Sequence, residues 1–219
     1  MLSDADIRAE FGKGIVIEPF EENCLTPVGY DLRVGKWGVS LKNKSETLIE
    51  KEGKISIGPN DTVVIETYES IRLSPNFSGT VHSMVTLLSA FGITHISTTI
   101  DPGSDGPLLV QFSNPRPIAM ELAFQQPFCT VCFHRMESTA VKAFNKPAGR
   151  TDIKTWLKRE VEKERGKIYR NRRFWLATAA LFIVLVSLAV YYINPDLVVP
   201  IATVLGVASL FVVEFLRPS

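Results

Sequence analysis

The chain has 219 residues, with 24 Lys and Arg against 23 Asp and Glu, so its net charge is +1. That length fits one domain of ordinary size with something added, and the near-zero charge gives no basic footprint for a nucleic-acid partner. Its three cysteines, Cys24, Cys129 and Cys132, are an odd count and give no disulfide framework, and the charged opening MLSDADIRAEF does not read as a secretion signal.

Ser3 is placed to cap a first helix, with Asp4 and Asp6 in its first turn and Gly12 and Gly14 ending it. A short strand over 15–17 ends at Pro19. In PVGYDLRVG, the apolar residues 28, 30, 32 and 34 alternate with Asp31 and Arg33, which puts those two on one strand face. There they pair with each other or present a charge to a neighbouring strand, and we expect a strand-to-strand ion pair at Arg33. Further strands are expected over 38–42, 47–49, 54–57, 62–70 and 80–82, separated by turns such as Gly58-Pro59-Asn60-Asp61. Residues 83–91 have a helical apolar spacing, and 118–124 and 128–135 close the series as strands.

Residues 92–114, GITHISTTIDPGSDGPLLVQFSN, read as strand, tight turn, strand. Pro102 presets φ for one corner of a turn and Gly103 supplies the positive φ of the next. Asp101 then sits at the mouth of a β-hairpin, either as a turn initiator or as a contact for a small polar ligand. Many short strands joined by Gly/Pro turns indicate a closed β-barrel or sandwich. Cys129, Cys132 and His134 have the spacing of half a metal site, but positions three apart on a strand face opposite ways, and we expect no metal. His82 and His95 are expected to be packed or surface residues.

After a linker over 146–149, Thr151 or Asp152 caps a charged helix, 153–173, with a sparse stripe of Ile153, Trp156, Leu157, Val161 and Ile168. That stripe needs a partner, in its own domain or in further copies of the chain. Residues 174–193 and 197–216 are two apolar runs long enough to span a bilayer. Trp175 and Tyr191-Tyr192 match the interfacial belts. Arg170, Arg172, Arg173 and Arg217 flank the runs while the turn between them has no Lys or Arg, so both termini and the β domain are expected in the cytoplasm of a two-span membrane protein. Glu214 lies near the end of the second run, at the interface or facing a water-filled path.

The opening MLSDADIRAEF, VGYDLRVG, residues 62–79 and the stretch 92–114 together resemble the dCTP deaminase and trimeric dUTPase superfamily over about residues 1–136. The most specific pattern is Ile100-Asp101-x-Gly103-x-x-Gly106 with Asn114, in that order behind YDLRVG. The resemblance implies a mainly β fold: a distorted dUTPase-like β-barrel with an N-terminal short helix, here at 1–145. The basic linker helix (146–173) and the two membrane helices (174–219) follow it. It further implies a homotrimer with nucleotide sites at subunit interfaces, and ligand contacts from Thr86, Thr99, Ile100, Asp101, Gly103, Gln111 and Asn114, with Asp31 and Arg33 structural or at an interface. In the dUTPase branch the aspartate matching Asp101 helps position or activate the attacking water, and magnesium would be the cofactor of an active domain.

The departures bear on function. Gln111 stands where deaminases carry a proton-shuttling glutamate, and an amide cannot accept and return a proton near neutral pH. The phosphate-binding Arg-Ser motif is replaced by Met84-Val85-Thr86, and a later arginine maps onto Ser89 or Ala90. Without those guanidiniums a triphosphate loses its bidentate partners. Three readings follow. The first is a membrane-anchored, catalytically degenerate sensor of a nucleotide or nucleotide-derived signal, in contact with membrane lipid; its architecture resembles membrane effectors of bacterial antiphage systems. The second is an active membrane-tethered dUTP diphosphatase or dCTP deaminase. The third is a trimeric membrane scaffold.

Overall fold

The computed structural model describes residues 1–86, 91–142, 144 and 146–193, with the backbone alone at several helical positions from 168 onward. Its elements are α1 (Asp4–Glu10), β1 (Ile15–Glu18), β2 (Leu25–Thr26), β3 (Gly29–Ser40), β4 (Ser45–Thr47), α2 (Ile49–Glu52), β5 (Lys54–Ile57) and β6 (Asp61–Leu73). They continue with β7 (Phe77–Ser83), β8 (Thr94–His95), β9 (Thr98–Ile100), β10 (Asp105–Asn114), β11 (Met120–Ala123), β12 (Pro127–Arg135) and α3 (Thr151–Ile193). The helix α1 starts as expected: the Ser3 hydroxyl accepts from the Asp6 amide, and the Asp6 carboxylate accepts from the Ser3 amide. This reciprocal cap satisfies two donors that the first turn would otherwise leave without partners.

The main sheet runs in the order β8-β10-β6-β3-β12-β7-β9. Its two outer strands, β8 and β9, are separated in the chain by Ile96 and Ser97 alone. Two residues cannot bridge the width of a flat seven-strand path, so the sheet must curl until its ends approach. The curl encloses a core of Tyr30, Leu32, Val34, Ile65, Ile71, Phe112, Phe128 and Phe133, all fully buried. The mainly β, barrel-like architecture is as the sequence indicates.

Several local expectations are corrected. The strands expected over 28–34 and 38–42 are one continuous strand, β3, whose register against β6 shifts between Val34 and Gly38. The bulge absorbs the Gly-Lys-Trp interruption without ending the strand. The strand expected over 47–49 stops at Thr47, because Ile49 begins the short helix α2, closed by Gly53 at φ +76°. Within the expected helix over 83–91, Val85, Thr86 and Phe91 are helical, and 87–90, with Ser89 and Ala90, lie outside the described residues.

The largest correction concerns the hairpin. The two arms pair only at their outer ends: β8, in the first arm, pairs with β10 through His95↔Phe112 and Thr94↔Ser113, whereas β9, next to Pro102-Gly103, pairs with β7 and the start of β10 pairs with β6. The turn is held by the end of β6 instead. Gly103 N donates to Leu73 O at 3.1 Å, and Leu73 N donates to Ser104 O at 3.0 Å. Asp101 therefore sits where the chain crosses from β9 at one end of the curled sheet to β10 near the other.

One compact unit comprises Met1–Val161, so the first turns of α3 belong with the β-strands. There Leu157 and Val161, with Ile153, pack on Trp37, Val39 and Val64 in a second buried cluster that Leu109 of β10 also joins. The first part of the stripe thus finds its partner in its own domain, but Trp156 is not in it, being 59% exposed, and the side chain of Ile168 lies outside the description. Lys154 reaches Glu66 at 2.7 Å, Lys158 reaches Glu46 at 2.5 Å, and Trp37 Nε1 donates to the same Glu46 oxygen at 2.5 Å. Both lysine ammoniums also lie over the Trp37 ring, 5.0 and 5.7 Å from its centre.

From residue 162 the backbone of α3 continues helical to Ile193, through the whole first apolar run. Among the described residues no helix is long and apolar enough to cross a membrane; residues 180, 187 and 190–193 enter that description with backbone only. The second expected span, 197–216, lies outside the described residues, as do Glu214 and Arg217.

Candidate functional site

The sequence-predicted ligand residues divide into two groups. Thr99, Ile100 and Asp101 come together at the seam and line a cleft of about 100 Å³, closed on its far side by Phe144 and Arg150. Asp101 and Phe144 also line a larger adjoining cleft of about 390 Å³, with Met136, Ala140, Lys142 and Lys146. That volume lies in the range of small-molecule sites. Asp101 is exposed, Ile100 is buried behind it, and the Ser104 hydroxyl donates to the Asp101 carbonyl at 2.6 Å, fixing the backbone while leaving the carboxylate free to face the clefts.

Two glycines make this geometry possible. Gly103 has φ +84°, and a Cβ on it would stand 3.3 Å from that of Phe144. Gly106 has φ +110°, and a Cβ there would lie 2.3 Å from the Gly149 nitrogen, so only glycine lets the 148–150 turn pack onto β10. Beyond it β10 bulges between Pro107 and Leu109, and the Thr67 hydroxyl accepts the Leu108 amide at 2.8 Å, supplying the partner the bulge removes.

Gln111, Thr86 and Asn114 do not line either cleft. Gln111 is exposed further along β10, opposite Val64 of β6. Thr86 is exposed. Asn114 is 1% exposed, and its polar atoms are used inside the fold: Nδ2 reaches Ile57 O at 2.9 Å, Gly58 O at 3.1 Å and Ile118 O at 2.8 Å, while Oδ1 accepts from Arg116 N at 3.1 Å. It ties three chain segments together.

Asp31 and Arg33 do not pair with each other. Asp31 accepts from the Thr130 hydroxyl at 2.6 Å. Arg33 Nε donates to Glu69 Oε1 at 2.6 Å, its backbone amide donates to Glu69 Oε2 at 2.8 Å, and Nη1 reaches Glu21 at 3.1 Å. Glu69 is fully buried. The strand period shows why: Ile65, Thr67, Glu69 and Ile71 alternate inward on β6, so the carboxylate must face the interior and needs a cation there. That alternation was present in the sequence, and Glu69 was the residue it pointed to.

The metal half-site does not form. Cys129 and Cys132 are buried, and burial pushes both thiols above their ordinary range. His134 Nε2 lies 3.1 Å from the Thr80 hydroxyl, which His82 Nε2 approaches at 2.8 Å. Among the described residues no three ligating side chains converge. His95 stacks on Phe112 with ring centres 5.2 Å apart, and burial, with the His82 charge second, lowers its pKa.

A curled mainly β sheet with a Gly-rich crossing and an exposed aspartate at the seam defines the dUTPase-like class of fold. The match to known proteins narrows it. Residues 1–136 match the family described as dCTP deaminase-like, and the chain belongs to that family. It is 36% identical to a dCTP deaminase of Thermococcus sibiricus over 137 residues, 63% of this chain and 83% of that protein. A dCTP deaminase of Pyrococcus furiosus is also 36% identical, over 140 residues, 64% of this chain and 85% of that one. Among solved structures, the 2′-deoxycytidine 5′-triphosphate deaminase of Agrobacterium tumefaciens superposes with a TM-score of 0.51 at 18% identity, over 61% of this chain and 48% of that one, which supports the fold. The match ends at Met136, so Lys142, Phe144, Lys146 and Arg150 lie beyond it.

Proposed function

We propose that the protein is a membrane-anchored nucleotide sensor: a dCTP deaminase-like domain that binds a nucleotide or nucleotide-derived signal at the Asp101 seam without turning it over, and passes the binding to α3. The observation that carries this reading is the continuity of β10. At one end this strand follows the Asp101 turn and packs Gly106 and Pro107 against Gly149; three residues later it places Leu109 in the cluster that docks α3. A ligand that shifts the seam acts on the helix through one strand. The loss of chemistry rests on Gln111, an amide where deamination needs a group that exchanges a proton.

Membrane anchoring is supported by the sequence of residues 174–193, twenty residues without a charge, about 30 Å as a helix. Phe174, Trp175, Phe182 and Leu185 of that stretch are each more than half exposed on α3, an arrangement that suits lipid better than water. In this reading residues 197–216 return as a second span, the β domain and both termini are cytoplasmic, and three copies assemble as a homotrimer. An antiphage effector role is tested by the loss of membrane potential on expression with the signal.

The test is a thermal-shift screen of the full chain in detergent against deoxynucleotides and cyclic nucleotides, paired with turnover assays on dCTP and dUTP with magnesium. A bound ligand at a hundredfold over its Kd adds about 2.7 kcal/mol. Binding without turnover is the expected result; turnover abolished by Asp101→Ala establishes the second reading, a tethered dCTP deaminase or dUTP diphosphatase. That alternative is favoured by the names of the relatives and by the exposure of Asp101. Asp101 would then position or activate the attacking water, as the resemblance implies for the dUTPase branch, and magnesium would come with the substrate phosphates. Stabilisation by no candidate ligand, in a trimer, leaves the scaffold reading.

A further inference from the structure

We propose that residues 165–173 of α3 form a cationic collar that binds the headgroup phosphates of anionic phospholipids where the helix enters the bilayer. This inference rests on the membrane-anchoring reading above and adds to it the class of lipid the protein takes.

The charge pattern of α3 changes abruptly after Glu164. Residues 151–164 carry four cations, Lys154, Lys158, Arg159 and Lys163, against four acids, Asp152, Glu160, Glu162 and Glu164. Residues 165–173 carry five cations, Arg165, Lys167, Arg170, Arg172 and Arg173, against no acid, and none follows before Asp196. The block is helical throughout and abuts the uncharged run that begins at Phe174. Arg165, Lys167 and Arg170 are exposed. Upstream, Lys154 and Lys158 pair with Glu66 and Glu46 of the strands. Lys167 reaches back to Glu164 at 2.7 Å, within the helix itself, and an exposed pair of that kind is worth little in water. Five like charges held over about 12 Å of helix repel one another, and an external anion relieves them.

The placement of the cations around the helix identifies that anion. At about 100° per residue, positions 167, 170, 172 and 173 stand at about 200°, 140°, 340° and 80° from position 165. The charged positions therefore surround the axis, with no gap wider than about 140°. A helix that lies along a charged surface gathers its Lys and Arg on one face. A ring of cations instead meets anions that encircle the helix, as headgroups do around a helix passing between them. The height also fits: about 12 Å of helix faces a headgroup layer of about 5–8 Å on one side of the hydrocarbon core and a screening length of about 8 Å beyond it. Four of the five are arginines, whose planar forks hold phosphate oxygens in pairs. Near an anionic leaflet each such cation strengthens attachment about fivefold.

The test counts the lipids retained by the full chain in detergent containing equal phosphatidylcholine and phosphatidylglycerol, by native mass spectrometry. The native chain is expected to retain phosphatidylglycerol at least fivefold over phosphatidylcholine. Arg165→Gln/Lys167→Gln/Arg170→Gln/Arg172→Gln/Arg173→Gln is expected to erase that preference, and Arg159→Gln/Lys163→Gln, outside the block, to leave it within twofold. Equal retention of the two lipids by the native chain overturns the collar, as does a preference that survives the five substitutions. Displacement of phosphatidylglycerol by an equimolar amount of glycerol phosphate or of duplex DNA overturns it too, because the block would then take a free anion or a nucleic acid. Each of these outcomes leaves membrane anchoring standing, which is measured separately by the chain's resistance to alkaline extraction from pure phosphatidylcholine vesicles. Release from those vesicles and from vesicles containing phosphatidylglycerol overturns both.

Discussion

Coupling between the seam and the helix depends on the docking of α3, and Leu157→Ala/Val161→Ala is the perturbation that isolates it. Leu157 is 7% exposed and Val161 5%. Truncating buried aliphatics of this size costs about 2–5 kcal/mol for a leucine. The cluster is small and edged by the partly buried Leu41, Leu109 and Ile153, which can close over part of the void, so a loss of about 2–4 kcal/mol is expected for the pair. The remaining contacts do not compensate. Lys154–Glu66 and Lys158–Glu46 are partly solvated pairs, worth about 0–1 kcal/mol each. Because the cluster is separate from the main core, the loss should appear as local undocking rather than global unfolding. Hydrogen exchange should show protection of amides 153–161 falling about 30- to 700-fold, with β12 amides unchanged. Nucleotide affinity should persist while nucleotide-induced protection of α3 disappears. An equal fall in β12 protection, or none in α3, would refute the idea that the helix is a separable element docked through Trp37.

Arg33→Ala leaves the buried Glu69 without its cation and is expected to cost about 3–5 kcal/mol in urea unfolding, whereas replacing both residues by apolar ones should cost far less; a loss under about 1 kcal/mol counts against this pairing. Asn114→Ala strands three carbonyls and an amide and is expected to cost about 2–4 kcal/mol in the same assay, without first weakening nucleotide binding. His95 and His134 have depressed pKa values, chiefly from burial. Their contribution to stability is present above the unfolded value of about 6.5 and is lost as pH falls through it toward the folded values. The melting temperature should therefore drop between pH 7.5 and 5.5, with a shallower drop in His95→Phe. Gln111→Glu alone should give no dCTP deamination, because Met84 and Val85 still lack the phosphate contacts; ammonia release by this variant would show that one carboxylate was all the site lacked.

Turn chemistry and strand period made most of the barrel legible. Ser3 marked α1, Gly58–Asp61 marked the entry to β6, and alternation placed Arg33 correctly on a strand facing a partner. The misreadings share one cause, which is that local signals do not report pairing. Pro102-Gly103 has every feature of a hairpin turn, yet beside it the arms part, β9 to β7 and β10 to β6, and they pair with each other only at the outer ends, as at His95 and Phe112, because the turn bonds to Leu73, about thirty residues earlier in the chain. Trp156 fits the helical stripe, yet the docking surface around Trp37 takes Ile153, Leu157 and Val161 instead. At the site the sequence singled out Asp101 but not Phe144, which joins it in both clefts only once the chain beyond Met136 is seen folded against the seam.

The residues that the resemblance matches to the family motifs and those at which it marks departures differ in what holds them. Arg33 and Asn114 each satisfy interior groups, and their exchange leaves a buried charge or several buried polar atoms without partners. Gly103 and Gly106 occupy positive-φ positions, and Gly106 sits against a backbone where a Cβ does not fit. Gln111 and Val85, by contrast, are exposed, where a substitution changes stability by about 0.5 kcal/mol or less. A chain freed from deamination but still required to fold would lose the second set and keep the first. Asp101 breaks that division. It is exposed, its backbone alone forms the turn through its carbonyl, and many side chains would serve the fold as well. Folding therefore does not account for a carboxylate at the seam. A ligand with a hydrogen-bond donor would, and this is the physical ground on which a recognition site at the seam is proposed.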